Sequence, residues 1–381
     1  MDSRACPPRG IRGNDRKFYM RQQRVNLTIT VLTLICIGIV MIYSASCVNA
    51  MQTYGDSLYY LKRHMLFLAL GLVPSFFILR MDYRQIQPHA RVLIGICAVL
   101  LLLVLVPHIG SESYGARRWF KLGVFHFQPS ELAKLAMIIY TADFLDRKQQ
   151  VIKSFRKGFL PPLLVMGVLC ALTVKQPDLG TTLEIAVVTL TMLYLGGARL
   201  WHLALIFCSA TPLLVYLIAK EPYRMARIIA FLDPWQDSQG IGFQLTQSQI
   251  ALGSGGIFGV GLGHSQQKLF YLPAAHTDFI LSIIGEELGL IGTISIIMLF
   301  GLFIWQGTRI VRQTNHTFGY FLGMGIVMML GLQAVVNVGV SIGAFPTKGL
   351  PLPFISYGGS ALIFHLMAIA LLLNISKIED Y

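Results

Sequence analysis

Ten long apolar runs constrain the fold of this chain more than any other feature of its sequence. A helix needs about 20 predominantly apolar residues to cross a bilayer. The runs lie at 26–46, 61–79, 92–107, 129–145, 158–174, 179–197, 200–219, 278–305, 318–342 and 354–376. Hydrophobic residues make up 55% of the 381 residues and charged residues only 13%, too few to cover a soluble protein of this length. We therefore predict an all-α polytopic membrane protein with about ten transmembrane helices.

The distribution of Lys and Arg predicts how these helices are oriented. If the basic segment 1–24 is cytoplasmic, the cytoplasmic segments carry 19 Lys and Arg and the outer segments 11, which is the positive-inside bias. The net charge of +13 then reflects membrane orientation and predicts no nucleic-acid partner. We predict an uncleaved membrane domain at 25–376, a large extracytoplasmic loop at 220–277 and a tail at 377–381. Both termini are then cytoplasmic.

Several common kinds of site find no support in the sequence. The six cysteines are scattered and form no CxxC motif or Cys/His cluster, so neither zinc nor a disulfide framework is indicated. The run 253–263 contains six glycines but no Walker A motif and no GxGxxG, so a nucleotide site is unsupported. Such glycines let backbone approach backbone or a ligand closely, and tight turns under a re-entrant loop are an equally good interpretation.

Asp278 lies where the long polar loop meets the eighth apolar run. An acid at the mouth of a membrane helix is costly to keep ionised, so it indicates a functional site. The loop before it contains an amphipathic segment at 223–232, with apolar residues at helical spacing and with Arg224 and Arg227 on or near its polar side. We predict an interfacial helix there and a second short helix at 242–250.

Charged residues also lie at the ends of other apolar runs. Glu131 and Lys134 are three residues apart at the start of the fourth run, so they can pair on one helix face. Lys175 and Asp178 occupy a tight turn between the fifth and sixth runs. For the first pair, a structural ion pair and a polar cavity that opens outward are compatible interpretations.

Two further segments break the apolar pattern on the predicted outer side. Segment 108–128 places Arg117 among aromatic residues, which is typical of interfacial anchoring. Segment 345–360 contains three prolines, three glycines and Lys348. Irregular backbone at membrane depth is tolerated only where it packs in protein or lines a cavity. Because these segments share a side with Asp278, the sequence predicts a single polar site.

A carboxylate among Lys and Arg residues is consistent with two classes of function. The cations suit an anionic headgroup attached to a lipid, with the acid as general base. Broken helices and charges in the membrane are also features of transporters. The sequence shows no repeated pattern of segments, and Asp278 lies at a helix end, so an enzyme is favoured over a transporter.

A set of short motifs carries a resemblance to a known family. They are GARRW at 115–119, QPSE at 128–131, QPDLGT at 176–181, RMARI at 224–228, GFQLTQS at 242–248, LPAAHTDFI at 272–280, GEELG at 285–289, PTKG at 346–349 and PFISYGGS at 353–360. Over residues 25–376 the chain resembles the SEDS family (shape, elongation, division and sporulation). One departure is Ala274, where the family usually has Glu.

The resemblance implies a peptidoglycan glycosyltransferase that polymerises lipid II on the outer face of the plasma membrane and releases undecaprenyl diphosphate. It implies Asp278 as the general base, an inverting transfer and a divalent cation, Mg²⁺ or Mn²⁺, as a plausible cofactor. The implied partners are a class B penicillin-binding protein and other membrane proteins of the division machinery. The candidate substrate-binding residues share polar character and the predicted outer side: Arg224, Arg227, Lys348, Glu131, Lys134, Lys175, Asp178, Arg117 and Ser356.

Three alternatives to this function stay open on the sequence alone. A lipid II flippase would also need many spans and broken helices. A non-catalytic scaffold that recruits the transpeptidase would not need Asp278. The motifs resemble the division branch of the family more than the elongation branch, so an elongation-type polymerase is the third.

Overall fold

The computed structural model describes residues 13–113, 116–123 and 125–378. Within these ranges it contains twelve α-helices: α1 (Gly13–Tyr54), α2 (Tyr59–Arg80), α3 (Ala90–Leu103), α4 (Pro129–Lys148), α5 (Leu160–Lys175), α6 (Leu179–Leu195), α7 (Leu200–Ala219), α8 (Pro222–Leu232), α9 (Phe243–Ser254), α10 (Ile280–Arg312), α11 (Thr317–Ser341) and α12 (Ser360–Ile378). Residues 1–12 of the predicted N-terminal segment and 379–381 of the tail lie outside the described ranges, and 13–24 form the first turns of α1.

Eight helical segments in the described residues are long and apolar enough to cross a membrane. They are α1, α2, α3 with the 3₁₀ segment before it, α5 with the π turn before it, α7, α10, α11 and α12. The prediction of a polytopic helical membrane protein is confirmed. The remaining two apolar runs are occupied by α4, which has six charged residues, and by α6, which has only 17 residues. The count of ten spans therefore stays a prediction.

The helices differ sharply in how much of their surface the protein covers. In the most apolar part of α11 and α12, 72% and 78% of the residues are buried within the protein, against 6% in α7. The first two therefore form the centre of the bundle, and α7 lies at its edge. Small residues allow close packing between membrane helices, and a Cβ at Gly71 of α2 would lie only 3.1 Å from the Ile363 Cα of α12.

Helix α10 is broken at Gly289, which has φ +68° and ψ −162°. The glycine-rich segment that follows α9 pairs with the broken turn: Val260 N donates to Glu286 O at 2.9 Å and Leu290 N to Gly256 O at 2.9 Å. The glycines thus bring backbone against backbone. Since lipid offers backbone groups no hydrogen bonds, the pairing satisfies groups that the break would otherwise leave without partners.

Two adjacent glutamates of α10 hold the end of this glycine-rich segment. Glu287 pairs with Lys268 at 2.9 Å and accepts a hydrogen bond from the Ser44 hydroxyl of α1 at 2.7 Å. Glu286 accepts from the Ser265 hydroxyl and from Gln266 N. Burying a charge costs little only when it is paired and hydrogen-bonded. The buried Glu287 meets both conditions, and the buried Glu286 is held by hydrogen bonds.

The segment predicted as an interfacial anchor at 108–128 contains a small antiparallel sheet in its described residues. Its strands are β1 (Ser111–Ser113), β2 (Ala116–Leu122) and β3 (Phe125–Phe127), in the order β1-β2-β3. The fold is therefore not purely helical. The predicted loop helices are present as α8 and α9. The last predicted span starts later than expected, at Ser360 instead of 354, because proline and glycine keep the preceding residues irregular.

We expect Gly259→Ala to destabilise the protein by about 1–3 kcal/mol or more. Gly259 has φ +81°, and a Cβ there would overlap the carbonyl oxygen of Glu287. The matched control is Gly301→Ala in α10, where an added Cβ meets nothing within 4 Å. Thermal unfolding in detergent measures both variants. Equal melting temperatures for the two would contradict the close backbone pairing.

Candidate functional site

Asp278 closes a tight turn directly before α10. Thr277 donates to Ala274 O through its amide at 3.0 Å and through its hydroxyl at 3.1 Å. Ala274 has φ +57°, the left-handed region that is uncommon for residues other than glycine. The turn leaves the Asp278 side chain half-buried, at the end of the bundle where α10 begins and α11 ends. We call this the Asp278 end.

The irregular segment between α11 and α12 packs against this turn through main-chain hydrogen bonds. Ser356 donates its hydroxyl to Thr277 O at 2.6 Å and accepts from Leu352 N at 2.9 Å. Tyr357 N donates to His276 O at 3.0 Å. The predicted substrate-binding Ser356 is buried with its hydroxyl engaged on both sides, so in this structure it positions the backbone around Asp278.

Asn337 of α11 joins the two segments and was missed by sequence reasoning. Its side-chain amide donates to Asp278 O at 2.8 Å and to Leu350 O at 2.9 Å, and the residue is 2% exposed. These two carbonyl groups belong to irregular backbone, where helical partners are not available. A lone Asn near the end of an apolar run was the signal in the sequence that could have identified it.

Two guanidinium groups and one ammonium group lie on the segments around Asp278. Arg227 of α8 donates to Thr347 O at 2.9 Å, and Arg118 of β2 donates to Gln176 O at 3.0 Å. Burial raises the pKa of Asp278 to about 6, against the opposing effect of Arg227 and Arg118. Burial also lowers the pKa of Lys348, which is next to Thr347 in the chain. The site therefore combines a weakly acidic carboxyl with cations that favour its ionised form.

A substrate can approach the Asp278 carboxylate closely because Gly349, the residue beside it, has no side chain. A Cβ at Gly349 would lie 3.4 Å from Asp278 Oδ2. That distance is ordinary van der Waals contact, so a larger side chain would cover the carboxylate oxygen. Gly349 is exposed, and the space beside the carboxylate is open at this position.

Other predicted site residues lie at the same end but make different contacts. Arg224 donates to Leu217 O at 2.7 Å, at the C-terminal end of α7. Lys175 is exposed. Asp178 is buried and caps α6, accepting from Thr181 N at 3.1 Å. Of the two adjacent arginines in β2, it is Arg118 whose charge acts on Asp278. Arg117 precedes Arg118 in β2. Because successive strand residues point to opposite faces, the two arginine side chains do not share a face of the strand.

Glu131 and Lys134 form the predicted ion pair, at 2.9 Å, inside the bundle. The structure adds Glu184 of α6, which lies 3.2 Å from the Lys134 ammonium group. All three residues are at most 4% exposed, so they lie away from solvent. Among the described residues, no hydrogen bond or ion pair joins them to Asp278. An acid in the middle of the sixth apolar run was the sequence signal for Glu184.

The described residues do not provide a metal site of their own. Within 13–113, 116–123 and 125–378, no group of three or more His, Cys, Asp or Glu side chains is close enough to hold a metal ion. A divalent cation therefore stays a prediction.

Fold and site together define a polytopic membrane protein with a carboxylate-centred polar site at one end of its helix bundle. The chain belongs to the family of FtsW, RodA and SpoVE, whose model, described as "Cell cycle protein", matches residues 24–381. This confirms the family predicted from the motifs.

Similar proteins match almost the whole chain. A probable peptidoglycan glycosyltransferase FtsW from Trichlorobacter lovleyi is 47% identical over 361 residues, covering 95% of each chain. Stage V sporulation protein E from Bacillus subtilis is 43% identical and covers 93% of this chain and 97% of its own.

Solved structures resemble the fold over the same range. A chain from a peptidoglycan synthase complex that coordinates polymerization and crosslinking has a TM-score of 0.74 at 30% identity, covering 93% of this chain and 97% of its own. Thermus thermophilus RodA has a TM-score of 0.68 at 29% identity, covering 92% and 95%.

We expect Asn337→Ala to loosen the backbone around Asp278, because two carbonyl groups lose their donor at about 1–3 kcal/mol for each buried group left unpaired. Hydrogen–deuterium exchange should rise in 274–279 and 350–357. The matched control is Asn374→Ala: Asn374 also donates to two carbonyl groups, Ile78 O and Met81 O, both at 2.6 Å. The control should increase exchange near 78–83 only. Equal exchange at 274–279 in the two variants would contradict the role of Asn337.

Proposed function

We propose that this protein is a peptidoglycan glycosyltransferase that polymerises lipid II during cell division. The observation that carries the proposal is a half-buried carboxylate, Asp278, with guanidinium groups beside it at one end of a membrane-embedded bundle. Relatives named as peptidoglycan glycosyltransferases, similar over almost the full chain, support the same activity. The names FtsW and SpoVE among the relatives favour division-type synthesis over an elongation role.

Asp278 acts as the general base in this proposal. Its ionised carboxylate accepts the proton of the acceptor's 4-hydroxyl while that oxygen attacks the anomeric carbon of the donor sugar. The new carbon–oxygen bond forms as the bond from the anomeric carbon to the diphosphate oxygen breaks. The diphosphate leaves with the bonding electron pair, and attack from the opposite face inverts the configuration. The proton remains on Asp278 until solvent removes it.

The cations near Asp278 are suited to the donor's diphosphate. Arg227 and Arg118 can each present a planar pair of donors to phosphate oxygens, and Lys348 can add a point charge. Positive groups aimed at a departing diphosphate stabilise the charge that develops in the transition state. We include Arg118 here although the sequence pointed to Arg117.

The other candidate residues take supporting roles in the proposal. Glu131 and Lys134 of α4, with Glu184 of α6, restrict how these two helices pack together. Arg224 and Asp178 fix the ends of α7 and α6, at the Asp278 end, while Ser356 fixes the irregular segment. Lys175 and Arg117 lie at the same end, where they can attract an anionic substrate over a longer range.

The environment of the protein follows from the same proposal. The excess of Lys and Arg in the loops at the opposite end of the bundle supports a cytoplasmic location for both termini and an outer location for the Asp278 end. The similar synthase complex coordinates polymerization and crosslinking, which supports a class B penicillin-binding protein as membrane partner. Other division proteins, and a Mg²⁺ or Mn²⁺ ion held with the substrate's phosphates, are further parts of the proposal.

Asp278→Asn should lower the rate of glycan polymerisation from lipid II by about 10²–10⁴-fold, because the amide cannot accept the proton. The assay uses purified full-length protein with its transpeptidase partner. Asp237→Asn is the control, since Asp237 is an exposed acid of the same loop that accepts hydrogen bonds from Gly240 N and Ile241 N. Normal polymerisation by a folded Asp278→Asn variant would refute the mechanism, and lipid II movement across vesicles that survives the substitution would favour a flippase.

The pH dependence of polymerisation should follow the ionisation of Asp278. A base must be deprotonated to act, so kcat/KM should rise through about pH 6, the pKa of Asp278, and level off above it. Arg227→Gln removes a cation that lowers this pKa, so the midpoint should move to higher pH. A midpoint that stays fixed in Arg227→Gln, or that moves to lower pH, would show that Arg227 does not act on Asp278.

A further inference from the structure

A group of aromatic rings adjoins the Asp278 turn and has no role in the mechanism above. We call the side chains of Tyr54, Tyr59, Tyr60, His276 and Tyr357 the aromatic platform. The Tyr60 ring centroid lies 4.4 Å from that of His276 and 5.3 Å from that of Tyr357. The rings of Tyr54 and Tyr59 stack at 3.8 Å. His276 is two residues before Asp278, so the platform reaches the catalytic turn.

The connection between α1 and α2 holds three of these rings in place. Gly55 adopts φ +70°, which glycine tolerates without strain. Asp56 accepts from Leu58 N at 2.9 Å and pairs with Lys62 at 2.7 Å, which fixes the turn. The other two rings come from the two segments that surround Asp278. The platform is thus built where three separate parts of the chain meet.

This arrangement differs from an ordinary belt of interfacial aromatic residues. Belt residues contact the lipid headgroup level individually, and the 60% exposed Tyr216 of α7 would suit that role. The platform rings contact one another, and Tyr60, His276 and Tyr357 are half-buried. Burial also lowers the pKa of His276 to about 4, so its ring is neutral at neutral pH.

Polar groups border the platform. The Arg63 guanidinium group lies 4.8 Å from the centre of the Tyr59 ring. The pKa of His126 in β3 is lowered mainly by burial. The positive charges of Arg63 and Lys121 lower it further. A surface with apolar ring faces and polar edges matches a sugar, which has C–H faces and hydroxyl edges.

We propose that the aromatic platform binds the acceptor sugar, the ring whose hydroxyl group Asp278 deprotonates. This rests on the proposed function and extends it. The guanidinium groups of Arg118 and Arg227 suit the donor's diphosphate, so the acceptor is assigned to the remaining side of Asp278. A pyranose ring stacked on Tyr60 and His276 lies beside the carboxylate that must reach its hydroxyl. The Arg63 guanidinium group then binds the sugar's polar edge.

The test measures sugar binding without catalysis. In the Asp278→Asn background, saturation-transfer NMR detects a lipid-free tetrasaccharide of alternating N-acetylglucosamine and N-acetylmuramic acid through its contacts with protein protons. We expect sugar C–H signals that are retained in Tyr60→Phe and lost in Tyr60→Leu. The control is Tyr216→Leu, which should retain them. Loss in Tyr216→Leu as well, or retention in Tyr60→Leu, would overturn the proposal.

Kinetics on the active protein give the second measurement. Tyr60→Leu should raise the KM for lipid II by about 3- to 10-fold, the loss expected for one aromatic contact, while Tyr60→Phe changes it little. The pH midpoint should stay in place, since the ring acts on the sugar and not on Asp278. A lowered kcat at unchanged KM, or a shifted midpoint, would contradict sugar binding. Failure of the unmodified protein to polymerise lipid II would refute the proposed function instead.

Discussion

The Asp278 site depends on the requirement that irregular backbone at a membrane helix end must find hydrogen bonds within the protein. Two non-helical segments meet there, and Asn337 donates to a carbonyl group in each, at 2.8 and 2.9 Å. Ser356 adds a further link through its hydroxyl. Without such partners each buried group would cost about 1–3 kcal/mol. The Asp278 carboxylate is therefore positioned by hydrogen bonds to the main chain around it, which leave its own oxygens available for a substrate.

The same requirement, applied to charge, explains the two ionic clusters away from Asp278. Lys134 lies between Glu131 and Glu184, and Lys268 pairs with Glu287. A buried ion pair contributes little net stability, but removing one partner leaves an uncompensated charge that costs about 3–5 kcal/mol. These clusters therefore restrict which helices can pack together. The Glu287 cluster also holds the glycine-rich segment that leads through the loop to the Asp278 turn.

Sequence reasoning predicted the features that depend on long or local patterns. The apolar runs gave the membrane helices, and the amphipathic spacing at 223–232 gave α8. The spacing of Glu131 and Lys134 gave their ion pair. It did not predict the contacts of Asn337 and Glu184, because their partners are distant in the chain. It did not predict the sheet at β1–β3 because two of its strands have only three residues, too few to show an alternating pattern. The sequence could not show which of Arg117 and Arg118 acts on Asp278. That depends on which face of β2 each side chain occupies, and two adjacent cations among aromatic residues do not reveal it.

The pKa of Asp278 results from two opposed effects of its surroundings. Burial favours the neutral carboxyl group, whereas Arg227 and Arg118 favour the ionised one, and the balance leaves the pKa at about 6. A base with this pKa is ionised at neutral pH and yet more basic than a free aspartate. A diphosphate bound by the same guanidinium groups would offset their positive charge. Their effect on Asp278 would then weaken, its pKa would rise, and the carboxylate would become a stronger base when the donor is in place.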